Sequence, residues 1–367
     1  CDRNKITRFI TTPLPRKSAE DIVRTMAPIR LKAGKEGKGL PPFISLFKGL
    51  KIRTMDDMQV ENTWKQNRAA DSMAVSLGVG SDGKEVIFDI HEKHDGPMGL
   101  VAGTTRAGKT ELLQTWIIQM ALKFSPEEVN FILFDFKGTS LIDPVKALPH
   151  LVGDISNTGP DDSGQDFELR YCTALNSEII RRQKMLSLTG ATNILDYQKK
   201  YHNHQVTEPM PFLMIVLDEF ARIKDTHPDF MKLANSLYAT GGSLGMYVIL
   251  STQNPASAIS PEIRANSAFQ LCARVADNQD SREMIGVPDA AHLPKIPGRA
   301  FLRVGAQGTL QCFQSYYAGA AYDAETHRSE NAMPTALIET NGNALTVKTE
   351  KPDFTELEAA VERICQV

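Results

Sequence analysis

Three polar clusters in this 367-residue chain have the residue types and spacing to do chemistry. The first, Gly103-Thr104-Thr105-Arg106-Ala107-Gly108-Lys109-Thr110, follows the apolar run Met98 to Ala102 and opens an amphipathic stretch. Its two glycines let successive backbone N–H groups point the same way at the positive end of a helix dipole, which forms a nest for an anion. Lys109 then brings a flexible charge to the β- and γ-phosphates of a nucleotide, and the Thr110 hydroxyl joins a Mg²⁺ shell. The nucleotide-contacting segment is expected to extend to Glu111. Arg106 is unusual inside such a loop; it contacts a phosphate or a neighbouring subunit, or it faces solvent.

The second cluster ends the apolar run Phe212 to Leu217 with two acids, Asp218 and Glu219. Adjacent carboxylates at the end of a buried strand are costly unless a cation faces them. Asp218 is expected to hold the Mg²⁺ shell, and Glu219 to orient and deprotonate an attacking water. The third cluster closes the run Tyr247 to Ser251 with Thr252, Gln253 and Asn254, which makes Gln253 the expected sensor of the γ-phosphate. Asp135 and Lys137, after the run Val129 to Phe134, are placed at the same carboxyl edge, where open α/β sheets put their ligands.

Positioning these groups takes a parallel sheet with crossover helices. Apolar β-type runs at Val86 to Ile90, Met98 to Ala102, Val129 to Phe134, Phe212 to Leu217, Tyr247 to Ser251, Ala268 to Val275 and Ala300 to Val304 alternate with helical stretches. Helices are expected over Lys109 to Lys123, Glu168 to Leu188, Ile194 to Tyr201, Asp229 to Ala239 and Ala290 to Leu293, with a mobile surface loop from Asn157 to Asp166. Ser18 with Asp21 in capping-box spacing predicts a helix in the lead-in, and Ala33 to Pro42 reads as a linker. After a polar tail from Asp323 to Lys351, Thr355 and Glu358 cap a final helix whose apolar face, Leu357, Val361 and Ile364, needs a surface to pack on. The expected division is a lead-in over 1–70, an ATPase-type domain over 71–320 and a connector over 321–367.

Composition narrows the class. The chain is 42% hydrophobic and 23% charged, and no run approaches the roughly 18 apolar residues of a membrane span. Its formal net charge of -3 lacks the basic excess of a duplex-DNA binder, so nucleic acid is not an expected partner. Cys1, Cys172, Cys272, Cys312 and Cys365 form no CxxC pair and read as reduced thiols, with Cys272 and Cys312 buried in strands. A start at Cys1 is expected for a piece of a longer protein, with any membrane anchor outside it.

The stretches GTTRAGKTE (Gly103 to Glu111), VNFILFDFKG (Val129 to Gly138), LPHLVGDISN (Leu148 to Asn157), VLDEFARIK (Val216 to Lys224), LSTQNP (Leu250 to Pro255) and PGRAFLRVG (Pro297 to Gly305) together resemble the FtsK/SpoIIIE-type ATPase modules. More narrowly, with APIR (Ala27 to Arg30) and LPPFISLFKGL (Leu40 to Leu50) ahead of them, they resemble the first ATPase module of the EccC/EssC proteins, the membrane-anchored motors of type VII (ESX) secretion. The resemblance implies a RecA-like P-loop NTPase core, an α/β fold with a mostly parallel sheet flanked by helices and short terminal extensions, and turnover of ATP with Mg²⁺. It also implies further ATPase modules in the same longer chain, a homo-oligomer such as a hexamer, export of WXG100-type substrates, secretion-channel membrane proteins as partners, and a place at the cytoplasmic face of the cell membrane. Where the family pattern carries an early arginine in the strand Ala268 to Val275, this chain has Gln270. Arg274 and Arg282 do match the pattern and become the candidates for an arginine acting in trans. The family's Gly-rich run is Thr139-Ser140-Leu141 here, and Arg106-Ala107 replaces Gly-Ser, departures that fit slow or regulated hydrolysis. Two rival classes remain open: a DNA translocase or conjugative coupling ATPase, and a low-turnover regulatory nucleotide-binding module.

Overall fold

In a computed structural model, the described residues are 39–156, 164–224, 227–305, 308, 310–322 and 354–367. The helix expected from Ser18, most of the Ala33 to Pro42 linker and the tail from Asp323 to Lys351 lie outside them. The compact unit begins at Gly39.

In chain order the strands are β1 (Ala74–Gly80), β2 (Glu85–Asp89), β3 (Gly99–Ala102), β4 (Val129–Asp135), β5 (Leu151–Ser156), β6 (Phe212–Asp218), β7 (Met246–Thr252), β8 (Phe269–Ala273), β9 (Arg299–Val304) and β10 (Leu310–Ser315). The helices are α1 (Leu46–Leu50), α2 (Val60–Gln66), α3 (Lys109–Lys123), α4 (Gly164–Thr189), α5 (Ile194–His202), α6 (Pro228–Thr240), α7 (Pro255–Ala258), α8 (Pro261–Ala265), α9 (Asn278–Ile285) and α10 (Glu356–Cys365). One ten-stranded sheet runs in the order β2-β1-β10-β9-β8-β3-β7-β6-β4-β5. The six strands from β8 to β5 are parallel; β9, β10, β1 and β2 continue the sheet as an antiparallel wing. The α/β fold with a mostly parallel sheet is therefore present.

Strand β6 shows why the central runs are continuously apolar. Phe212, Met214 and Val216 enter one core with Leu112, Trp116 and Phe131, while Leu213, Ile215 and Leu217 enter the other with Phe134, Phe230 and Leu237. A strand covered on both faces cannot spare a position for a polar side chain until it ends. The final helix is capped as expected, Thr355 Oγ1 accepting from Glu358 N at 3.1 Å, and packs on α3. Cys272 and Cys312 are buried in β8 and β10, and burial pushes the Cys272 thiol well above its usual range, as suits an inert thiol.

Several expectations need correction. Strands β1, β5 and β10 were missed, because β1 and β5 are broken by Gly or polar residues and β10 alternates Gln with apolar residues. Residues 157–163 of the expected loop lie outside the described residues, but from Gly164 the chain is already in α4. The stretch expected as a helix at Ala290 to Leu293 is a single 3₁₀ turn, Asp289–His292, too short to close α-helical hydrogen bonds. Helix α9 was not anticipated, although Asp277 accepts from the amides of Gln279 and Asp280 in an ordinary N-cap.

Candidate nucleotide site

The parallel register brings the three clusters to one edge. Ala102 at the end of β3 pairs with Thr252 of β7 on one side and Cys272 of β8 on the other, and Asp135 of β4 pairs with Asp218 of β6. The loop from Gly103 to Gly108 leaves β3 here and turns into α3. Gly103 N donates to Thr252 O at 3.3 Å, and both Thr104 N and Thr104 Oγ1 donate to Arg274 O, at 2.9 and 3.0 Å. Gly108 has φ 88°, and a Cβ there would lie 2.2 Å from Gly298 N, which itself donates to Ala107 O at 2.9 Å. Only glycine permits both the angle and the approach. Thr105 and Arg106 are exposed, Ala107 is buried, Thr110 is half-buried and Glu111 is exposed on the first helical turn.

Lys109 is 5% exposed and its ammonium lies between the two acids, 2.6 Å from Asp218 Oδ1 and 3.8 Å from Glu219 Oε2. Asp218 Oδ1 also accepts from Ser251 Oγ at 2.7 Å and from Glu219 N at 3.1 Å. Glu219 takes a left-handed backbone conformation, φ 57°, that turns its side chain back toward β7. There its Oε1 accepts from Gln253 N at 3.1 Å and Thr252 Oγ1 at 3.4 Å. Its Oε2 is buried with no hydrogen-bond partner. Gln253 Oε1 in turn accepts from Thr105 Oγ1 at 3.1 Å, which ties the sensor position to the loop.

One ammonium faces two carboxylates, so the buried cluster carries an excess negative charge and one unsatisfied oxygen. Hydroxyl and carboxylate oxygens suit a hard cation such as Mg²⁺. Among the described residues no group of three His, Cys, Asp or Glu side chains is placed to hold a metal unaided. Phosphate oxygens would have to complete any such shell.

The remaining expected residues divide. Asp135 does sit at this edge, but its carboxylate is used up by the amides of Lys137, Gly138 and Leu141, at 3.0, 2.9 and 3.1 Å. It shapes the turn, and Lys137 is exposed. Arg274 and Arg106 line a cavity of about 380 Å³ with Thr104 to Ala107 and Lys295, so Arg274 faces its own chain's loop. Arg282 is exposed on α9. Its neighbours Asp280 and Ser281 are structural: Asp280 accepts from Ala256 N at 3.0 Å, and Ser281 Oγ donates to Val287 O at 2.6 Å. Gln270 is buried beside β3.

Sequence reasoning gave no role to Ser251 and Thr252, which orient the acids, or to Gly298, whose amide donates to Ala107 O of the loop. Arg299 is fully buried and donates to Gln314 Oε1 at 2.9 Å and to the carbonyls of Leu40 and Pro41. The PGR tripeptide is visible as a motif; its partners Leu40 and Pro41, over 250 residues away in sequence, are not.

A Type VII secretion system protein EssC from Staphylococcus aureus strain Mu50 is 38% identical over 335 residues, 89% of this chain and 22% of that protein. An ESX secretion system protein EccC from Geobacillus thermodenitrificans is 34% identical over 333 residues, again 89% of this chain and 22% of the relative. The chain thus spans about a fifth of the length of these relatives. Among solved structures, the cytoplasmic domain of the Thermomonospora curvata Type VII Secretion ATPase EccC superimposes with a TM-score of 0.74 at 27% identity, covering 88% of this chain and 34% of that one. The model of the FtsK/SpoIIIE family matches residues 56–290, the span that carries the glycine loop, the paired acids, the β7 terminus and α9, and by that match the chain belongs to the FtsK/SpoIIIE family.

Proposed function

We propose that this chain is an ATP-binding and ATP-hydrolysing motor module of a type VII secretion system, coupling Mg-ATP turnover to export of small WXG100-type proteins. The observation that carries the nucleotide reading is the Lys109 ammonium held between Asp218 and Glu219 at the start of α3, beside the amides of Gly103 to Gly108. A triphosphate entering the loop draws Lys109 off Asp218 toward the β- and γ-phosphates. Asp218, with Thr110, would then hold Mg²⁺, which when bound neutralises phosphate charge and polarises the γ-phosphoryl group. Glu219 orients and deprotonates the attacking water, and Gln253, linked to Thr105, reads the γ-phosphate.

The relatives' length leaves room for further modules in the same longer chain, and their names support a part in type VII secretion; further ATPase modules, secretion-channel proteins and exported substrates as partners, a homo-oligomer and a place at the cytoplasmic face of the membrane belong to this proposal. Among the described residues no helix is long and apolar enough to cross a membrane. Within such an assembly Arg274, lining the cavity beside the glycine loop, and Arg282, exposed on α9, are the candidates to act on a neighbouring module's nucleotide. Residues 71–320 form the ATPase domain in this reading, with 1–70 as lead-in and 321–367 as connector.

One observation favours a second reading. The Oε1 of Glu219 is already held by β7, which fits a low-turnover regulatory module that must rearrange before it hydrolyses. Measuring Mg-ATP affinity and turnover for the wild type, Lys109→Ala and Glu219→Gln separates the two. Turnover that disappears in Glu219→Gln with binding kept supports the motor; tight binding with no turnover in the wild type selects the regulatory module. Turnover stimulated by duplex DNA and lost as salt rises would move the chain to the translocase class.

A further inference from the structure

A cavity of about 440 Å³ opens at the far end of α3 from the glycine loop, between the last turn of that helix and the β1–β2 hairpin. Buried Ile52, Met58, Val75 and Leu122 line it, and so does Ile87 of β2, which is 54% exposed. One cation reaches into this apolar hollow, Lys123 of α3.

We propose that this cavity docks a segment of a partner protein that runs along the free edge of β2, lays an apolar side chain against Ile87 and brings a carboxylate to Lys123. The proposal stands apart from the nucleotide reading and gives the antiparallel wing a binding role. Three observations carry it.

The first is an ammonium with donors left over. Lys123 is half-buried; its Nζ donates to Ala74 O at 2.5 Å and lies 5.5 Å from the centroid of the Phe124 ring, and among the described residues no carboxylate stands within ion-pair distance of it. Asp89, the acid whose field it feels, is engaged by Ser72 Oγ, Met73 N and His91 N. Burial holds the Lys123 pKa below the usual lysine range, and Asp89 offsets that only in part. A partly desolvated cation bonded to one carbonyl is completed by an anion.

The second is the edge. Among the described residues β2 is the last strand of the sheet. Asp95 closes one end of it, accepting from Asp89 N through Oδ2 and donating its own N to Asp89 O, each at 2.9 Å. Alternation turns the N–H and C=O of Ile87 and Glu85 to the same side as those of Asp89, where no strand pairs with them. Sheet edges are commonly blunted by charge or proline, whereas an exposed isoleucine stands in the middle of this one. An extended segment added there sets alternate side chains over the face that holds Ile87 and the cavity.

The third is the sign of the rim, which decides the class of partner. Glu85 and Asp57 line the mouth and are exposed. They repel an anionic lipid surface, whereas a peptide can place a basic residue beside Glu85 and its acid beside Lys123.

The probe is a positional-scanning library of fluorescein-labelled, C-terminally amidated hexapeptides, read by fluorescence polarisation on the full chain. Selection is expected for Asp or Glu at one position with Val, Ile or Leu two residues away. For the selected peptide, Lys123→Met weakens binding by about tenfold to a hundredfold, the range of a charge-assisted hydrogen bond, and Lys123→Arg keeps it within about threefold. Ile87→Asp weakens it at least about tenfold. Replacing the peptide's acid by its amide costs as much as Lys123→Met, and the two changes together cost no more than either alone. That peptide change leaves the protein untouched, so it decides the matter even if a variant folds poorly. No binding at millimolar peptide overturns the proposal, and so does selection that ignores acids or a selected peptide whose affinity survives loss of its carboxylate. Dodecanoate bound through Lys123 where every peptide fails would overturn it as well, by giving the cavity to a fatty-acid chain.

Discussion

At the carboxyl edge of the parallel strands, Lys109 is buried against two carboxylates, one of which keeps an oxygen without a hydrogen-bond partner. In the antiparallel wing and its flank, Arg299 and Glu356 are buried as deeply, yet the partners they meet are backbone groups and a glutamine side chain rather than a charge of opposite sign: Arg299 donates to carbonyls and to Gln314 Oε1, and Glu356 Oε2 accepts from Phe47 N. Both arrangements meet the desolvation cost of buried charge. They differ in what can replace the partner. A side-chain ion pair exchanges for a phosphate, a metal or a water with small rotations, whereas a guanidinium wedged against backbone carbonyls can leave only if the chain unfolds locally. The first kind of buried charge marks a site; the second marks a joint.

The comparison is most exposed at Glu219. Glu219→Gln keeps the shape and the Oε1 bonds to Gln253 N and Thr252 Oγ1 but removes the base, so turnover is expected to fall about 10²- to 10⁴-fold with nucleotide binding kept, read by steady-state ATPase assay beside calorimetry. Turnover within twofold of the wild type would place the base elsewhere. Next in size is Arg299→Ala, which strands the carbonyls of Leu40 and Pro41 and the Gln314 amide and is expected to cost about 3–5 kcal/mol in denaturant unfolding. Loss of nucleotide affinity with no loss of stability would show that Arg299 belongs to the site. Lys109→Ala should divide the other way: ATP affinity falls by about 2–3 kcal/mol, roughly 30- to 150-fold, while the loss of stability is smaller because water can reach the acids from the open edge.

This difference also decides what could be read from sequence. The glycine loop, the strand β6 with its two acids and the β7 terminus are each contiguous, and each ends an apolar run whose length betrays burial on both faces. Their side chains had only to be brought to one edge, which a parallel sheet does unaided. The joints are pairs between distant segments: Arg299 with residues 40 and 41, Glu356 with Phe47. No local period encodes them. Asp135 shows the limit from the other side, since its position at the end of β4 is legible, yet three backbone amides of its own turn use its carboxylate, and a turn's hydrogen bonds do not show in residue types. The missed strands β1 and β5 fail for a related reason, because their glycines and polar residues mask a pattern that only pairing with a neighbour makes into a strand.

Glu356 offers the finest test of the joint. Its carboxylate, at the first turn of α10, accepts from Phe47 N at 2.9 Å across 309 residues of sequence, fastening the last helix to α1. Burial raises its pKa from 4.5 to about 7, and hydrogen bonds from Phe47, Ser45 and Leu46 offset that only in part. The folded chain therefore holds this proton up to about pH 7, and the unfolded chain releases it near 4.5. Between those values the native state binds more protons, so stability falls as pH rises through the window, by about 3 kcal/mol in total, and is flat in this respect above it. Glu356→Gln stays neutral throughout and keeps an oxygen for Phe47 N. Its stability relative to the wild type is expected to be near zero at the acidic end and to grow to about 3 kcal/mol in the variant's favour at pH 8, measured as paired urea melts so that every other titrating group cancels. A difference that does not change with pH would mean that the joint holds its charge as the Lys109 site does, by a partner of opposite sign, and the distinction between the two regions would fail at this residue.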